Sequence, residues 1–153
     1  MQDVIIADTS CLILLHKIDE LHLLQSLYGQ ITITSVIAAE YGMHLPEWVT
    51  IKNAINVLSP DIISANVDPG EASAINLAIE HKRSLLIIDD LKARKLAQKL
   101  NIDYTGTIGI LLQAKVEGYV SNIKHILTKI KATNFRISED LEQKILKLSG
   151  ETE

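Results

Sequence analysis

Two short apolar runs, each closed by acid, constrain this chain more than any other feature. Val4-Ile5-Ile6-Ala7 ends at Asp8, and Leu85-Leu86-Ile87-Ile88 ends at Asp89 and Asp90. Runs this short and this apolar read as buried strands, and helical patterns stand between and after them. Alternation of strand and helix over the first two-thirds of the chain implies a parallel sheet with helices on both faces, because parallel strands need long crossovers. Acids leaving the carboxyl ends of such strands lie on the edge where open α/β sheets bind ligands. Gathered there, they repel one another unless a cation neutralises them, and hard divalent ions such as Mg²⁺ prefer carboxylate oxygens. The pattern points to metal-dependent chemistry on a phosphate.

The remaining elements follow from periodicity and punctuation. Residues 10–18 and 20–28 read as helices, the second stopped by Gly29, and residues 31–34 as the second strand. Ser35 can cap a helix that runs through Glu40 and Tyr41 to Gly42. The signal weakens over residues 44–65, with a short extended piece at 48–53 and a short helix opened by Pro60. Asp68-Pro69-Gly70-Glu71 is a sharp helix start, N-cap, N1 proline and N3 glutamate in order, and the helix is expected to reach about Lys82. A helix over 92–100, a last strand at 102–104, a helix from Gly106 to about Glu117 and helices over 121–132 and 138–148 complete the expectation. No linker divides the chain: residues 1–118 are expected to form the core of one domain, with residues 119–150 as a helical hairpin packed on it.

A chain of 153 residues is long enough to bury roughly two-thirds of its unfolded surface. Cys11 is the only cysteine, so no intrachain disulfide can form, and no Cys/His set has zinc-site spacing; a reducing cytoplasm fits. Met1-Gln2-Asp3 lacks the basic segment of a secretory signal, and no apolar stretch approaches the ~20 residues of a membrane span. Charge is uneven. Residues 1–76 carry two bases, Lys17 and Lys52, against nine acids, or −7, and the rest carry thirteen against ten, or +3, which together make the −4 of the chain. A basic strip beside an acidic pocket suits a polyanionic substrate, although such bases also serve as solvated helix faces.

Each acid also has a purely local explanation. Asp8 can cap the helix that follows it, Asp89 or Asp90 the helix over 92–100, and Glu71 can pair with Asp68 in a capping box. Glu40 lies four residues after Val36 and three after Ile37, so it shares a helical face with apolar groups and needs an exit to solvent or a positive partner. A cap needs one acid, and Asp89-Asp90 supplies two.

Val4-Ile5-Ile6-Ala7-Asp8-Thr9-Ser10, then Thr34-Ser35-Val36-Ile37-Ala38-Ala39-Glu40, then Asp68-Pro69-Gly70-Glu71-Ala72-Ser73-Ala74-Ile75, then Leu86-Ile87-Ile88-Asp89-Asp90 with Arg94 and Ala97, and finally Thr105-Gly106-Thr107-Ile108-Gly109, stand in an order that resembles a PIN domain. More narrowly, the chain resembles the branch related to VapC toxins over roughly residues 3–118. The resemblance implies a three-layer α/β/α Rossmann-like sandwich, Mg²⁺ or Mn²⁺ held by acids, and endonuclease cleavage of RNA or other single-stranded nucleic acid. It implies Asp8 as first metal ligand, Glu40 as second acid, Glu71 at a third position where many members have Asp, and Asp89 and Asp90 near the fourth, with Asp90 favoured. Ser10 and Thr107 could hold a phosphate oxygen or a metal-bound water, and Arg94 matches a basic position of the family. The chain departs from the pattern at Ile88, where a Thr or Ser is common, and in lacking the usual aromatic after the acid.

In such a site metal ions neutralise the phosphate and lower the pKa of a bound water, so no side-chain nucleophile is required. The expected function is a VapC-type toxin endoribonuclease, with an antitoxin protein and a second copy of the chain as partners and no membrane. A non-catalytic module with the same fold is the alternative, its apolar helices between Leu12 and Leu27 serving as a dimer or antitoxin face, or simply as core. Asp8-Thr9-Ser10 lacks the second Asp of a phosphotransferase, and no Gly-rich Lys-Ser/Thr loop supports nucleotide hydrolysis. Cys11 reads as a buried thiol. Trp48, the tyrosines and Phe135 are too scattered to argue a base-stacking platform.

Overall fold

The computed structural model describes residues 2–151; Met1, part of the terminus read above, lies outside the described residues. The two acid-closed runs pair side by side at the centre of the sheet. β1 (Val4–Ala7) lies parallel to β4 (Ser84–Ile87), with Ile5 opposite Leu85, Ile6 opposite Leu86 and Ala7 opposite Ile87. β2 (Ile31–Ile33) and β3 (Val49–Ile51) continue the sheet on one side and β5 (Asp103–Thr105) on the other, giving the order β3-β2-β1-β4-β5 with every pairing parallel. The chain therefore builds outward from β1 in one direction and then in the other. Its topological switch falls between β1 and β4, at the two strand ends that carry the acids.

Helices cover the sheet in a three-layer α/β/α arrangement: α1 (Thr9–Lys17), α2 (His22–Tyr28), α3 (Ser35–Tyr41), α4 (Pro60–Ala65), α5 (Pro69–Ile79), α6 (Leu91–Lys99), α7 (Thr107–Val116), α8 (Ile123–Lys131) and α9 (Glu139–Ser149). Most begin where a polar side chain satisfies an orphan amide of the first turn: Thr34, Ser59, Asp68, Asp90, Asn122 and Ser138 all accept from the third residue onward. The strand centres are apolar on both faces because both faces are covered; Ile6, Ile33, Leu86 and Ile87 are all fully buried.

Boundaries differ from expectation where tertiary contacts intervene. The helix expected to reach Lys82 stops at Ile79, and the carboxylate of the next residue, Glu80, accepts the amides of Ile55 and Asn56 at 3.0 and 2.8 Å. The extended piece at 48–53 is the edge strand β3. Leu12, Leu15, Leu23 and Leu24 are enclosed in the chain's own core, so most of the apolar stretch between Leu12 and Leu27 is spent internally.

Residues of the carboxy-terminal helices, Ile123, Ile126, Leu127, Ile130, Ile145 and Leu146, belong to the same buried cluster as Ile6 and Leu15. Glu151 fastens this end of the chain. Its carboxylate accepts the amides of Ile123 and Lys124 at the start of α8 and pairs with Lys115 Nζ at 2.8 Å. Burial alone would push Glu151 up, but those amides and the lysine together pull it down to about 2.

Candidate acidic site at the carboxyl edge of the sheet

Asp8 leaves β1 with its amide bonded to Ile87 O at 3.0 Å, so the first acid is tied directly to the end of β4. It occupies the N-cap position of α1 yet makes no side-chain cap bond. The carboxylate is instead enclosed, 4 % exposed. Burial first, and then the facing charges of Asp68, Glu40 and Asp89, push it up to about 7, against the opposing amide of Thr9.

Glu71 lies in the first turn of α5 and is likewise buried. Its Oε1 accepts the Asp68 amide at 3.2 Å while Asp68 Oδ1 accepts the Glu71 amide at 2.8 Å, the reciprocal box that the sequence suggests. The same carboxyl is raised to about 7 by burial and by Asp68, Asp8 and Asp90. Capping and membership of the acidic group coexist in one side chain.

Glu40 is exposed on the last turn of α3, which resolves its apolar neighbourhood in favour of an exit to solvent: Ile37 is buried and Val36 partly exposed. Thr9 Oγ1 donates to Glu40 Oε1 at 2.5 Å. The carboxylate lies against the backbone of Gly70, so closely that a Cβ there would overlap it. Only glycine in the first turn of α5 leaves that space, and the helix N-terminus it opens carries partial positive charge.

Asp89 and Asp90 part company. Asp90 is exposed and its Oδ2 caps α6 through the Ala93 amide at 3.1 Å. Asp89 turns to the start of α7, where Thr107 donates its amide to Oδ1 at 2.8 Å and its hydroxyl to Oδ2 at 2.6 Å. Thr107 is fully buried, with both donors directed at Asp89. Arg94 reaches back from α6: its Nε donates to Ile88 O at 2.8 Å, its Nη2 stands 4.0 Å from Asp89, and its guanidinium lies 5.5 Å from the Tyr104 ring. Gly106 gives it room, since a Cβ there would strike Arg94 Nη2 and stand 2.7 Å from Asp89 Oδ1. Ser10 is exposed on the first turn of α1.

The geometry thus brings Glu40, Asp68 and Asp89 into electrostatic range of Asp8, and Asp8, Asp68 and Asp90 into range of Glu71. Asp68 joins the group although in the sequence it reads only as a cap; its local role fully explains it there. Thr9, which holds Glu40, has no signal beyond adjacency to Asp8. Cys11 is buried behind the site, its thiol pushed up to about 12 by burial, which suits packing rather than attack.

Among the described residues no three His, Cys, Asp or Glu side chains stand close enough to hold a metal ion by themselves. The donors are nonetheless all carboxylates, and the acids facing Asp8 and Glu71 push both of those up, which suits a hard dication that keeps several of its waters. Asp8 and Glu71, buried among facing acids, are the groups whose charge such an ion would offset.

A parallel α/β/α fold with acids assembled at its switch point defines a class of phosphate-directed site. The chain belongs to the PIN domain family: the model for DUF3368, PIN domain, matches residues 4–151. It accordingly has a nuclease-type fold, and PIN domains generally act on nucleic acids with divalent metal ions. Comparison with curated proteins gives no significant match. No helix among the described residues is long and apolar enough to cross a membrane.

Proposed function

We propose that this protein is a metal-dependent endoribonuclease of the VapC toxin type, hydrolysing phosphodiester bonds in single-stranded RNA with Mg²⁺ or Mn²⁺. The observation that carries the proposal is Asp8: a buried carboxylate in a cap position that does not cap, facing Asp68, Glu40 and Asp89 at the sheet's switch point. Asp8, Glu40, Asp89 and Asp90 would hold the ion, with Glu71 completing the acidic set behind Asp8. When bound, a dication supplies neutralisation of the phosphate and a hydroxide nucleophile at neutral pH.

The chain's own residues do the rest. Thr9 fixes the rotamer of Glu40, and Thr107 fixes that of Asp89. Arg94 ties the end of β4 to α6 while keeping a positive edge beside Asp89, where a phosphate oxygen could be met. Ser10 projects from the first turn of α1 towards solvent, in a position to donate to the same phosphate or to a bound water. The proposal includes residues 1–118 as the core of one domain and 119–150 as its helical extension, a cytoplasmic location, an antitoxin partner and a homodimer. Ile55, Val57 and Ile63, which are 94, 90 and 65 % exposed between β3 and the end of α4, are the apolar surface such partners could cover.

Asp90, Asp68 and Asp89 each also satisfy backbone amides, which favours a second reading, a non-catalytic module that keeps the acids as caps. Mn²⁺ binding by calorimetry, with cleavage of a labelled single-stranded RNA on the same preparations, separates the two. Wild type is expected to bind and cleave, and folded Asp8→Asn to lose cleavage by at least about a hundredfold. Folded wild type that binds no Mn²⁺, even with RNA present, would leave only the module.

A further inference from the structure

Beside the acids, along α1, lies a concavity that shares only Ser10 with the cleavage chemistry. Ser10, Ile13, Leu14 and Lys17 share one face of α1, and Asn134 and Phe135 in the connection between α8 and α9 close the opposite side, leaving a groove of about 420 Å³. It opens at Ser10, two residues past Asp8, and extends to Lys17, about 10 Å further along the helix.

The walls and the rim differ in character. Ile13, Leu14 and the Phe135 ring are apolar, and Phe135, the chain's single phenylalanine, is left half-buried rather than sealed in the core. The backbone that carries the ring is held: the Phe135 amide donates to Thr133 Oγ1 at 3.1 Å, and that hydroxyl donates to Ile130 O at 2.6 Å. The rim is polar. Lys17 Nζ donates to Asn134 Oδ1 at 3.0 Å, which leaves the Asn134 amide nitrogen to donate elsewhere. Lys17 and Arg136 have no carboxylate partner among the described residues, whereas neighbouring Lys131 is neutralised by Glu142 at 2.6 Å. Uncompensated positive charge beside an aromatic slot complements a flat base carried on an anionic backbone.

We propose that this groove binds an unpaired nucleobase of the single-stranded substrate, adjacent to the phosphate presented to Asp8. Phe135 stacks on the base, Asn134 meets its edge, and Lys17 and Arg136 meet the flanking phosphates. The inference rests on the nuclease reading above and adds to it a base-binding position, supplied by the carboxy-terminal hairpin.

The test measures binding in EDTA, where no phosphodiester is cut, using a single-stranded RNA hexamer with 2-aminopurine at each position in turn. Wild type is expected to quench the probe at one position. Phe135→Leu is expected to lose that quench and bind about tenfold more weakly, with Phe135→Tyr restoring both. Lys17→Met, at an exposed position, gives an independent measure should Phe135→Leu fail to fold: severalfold weaker binding and a shallower salt dependence support the groove. Unchanged affinity in folded Phe135→Leu or in Lys17→Met, with Mn²⁺-dependent cleavage intact in wild type, overturns the groove and spares the nuclease. Folded wild type that neither binds the hexamer nor cleaves RNA with Mn²⁺ overturns both.

Discussion

Asp8 carries a consequence for pH that is independent of any substrate. Its carboxyl titrates near 4 in an unfolded chain and is raised to about 7 here by burial and by facing acids. A raised folded pKa means that the native state prefers the protonated form, so the contribution is complete below the unfolded value and is lost as pH rises through about 7. Glu71, also raised to about 7, acts in the same direction. Metal-free protein is therefore expected to melt lower at pH 8 than at about pH 5.5, with Asp8 contributing roughly 2 kcal/mol over that window. Added Mn²⁺ should restore the alkaline melting temperature, and Asp8→Asn should flatten the slope; a wild-type melting temperature constant across this range would refute the electrostatic account. Asp8, Asp89 and Asp90 were legible in the sequence because each closes an apolar run. Asp68 was not, since a cap explains it completely until β1 is folded beside it. The sequence also presents Asp89 and Asp90 as equivalents, and only the arrival of Thr107, from the start of α7, distinguishes them.

At the scale of elements, two glycines let helices approach the acids. Gly70 admits the Glu40 carboxylate to the first turn of α5, and Gly106 admits Arg94 to the start of α7. In Gly70→Ala the new methyl displaces the end of a flexible side chain rather than backbone, so stability should change by less than about 1 kcal/mol. Glu40 would nevertheless leave its position beside Thr9, and Mn²⁺ affinity is expected to fall severalfold at nearly constant melting temperature. Calorimetry and thermal melts on the same sample check this; wild-type affinity would show that Glu40 takes no part in holding the ion. Helix starts were well marked in the sequence because caps are local chemistry, as Asp68-Pro69-Gly70-Glu71 illustrates. Ends were less so. α5 stops three residues short of Lys82 and Glu80 turns to residues in the segment between β3 and α4, a contact that no local pattern encodes. β3 gave a weak signal because an edge strand needs little apolar character, and Ile51 is 49 % exposed.

For the molecule as a whole, the shared core ties the carboxy-terminal helices to the sheet. Ile110, Leu111 and Ala114 of α7 are buried in the same cluster as Ile126, Ile130 and Ile145. A fragment ending at residue 118 would uncover these faces and is expected to lose cooperative unfolding, whereas the full chain should give one calorimetric transition. Two transitions in the full chain would instead mark the hairpin as an independent unit. The parallel topology was legible because its alternation of elements is written in short apolar runs and helical periodicity; the groove between α1 and Phe135 was not, because its walls lie more than a hundred residues apart. Smaller separations stand at the centre of the sheet, where β1 waits for β4 and Asp89 waits for Thr107. During synthesis Asp8 is made before every acid that faces it, and an interval passes before Asp89 and its partner Thr107 complete the set. At ~5–20 residues per second this interval is on the order of ten seconds. A ribosome that has not yet reached Thr107 thus carries an acidic group still short of one orienting partner, and the nuclease activity proposed above would wait for the start of α7.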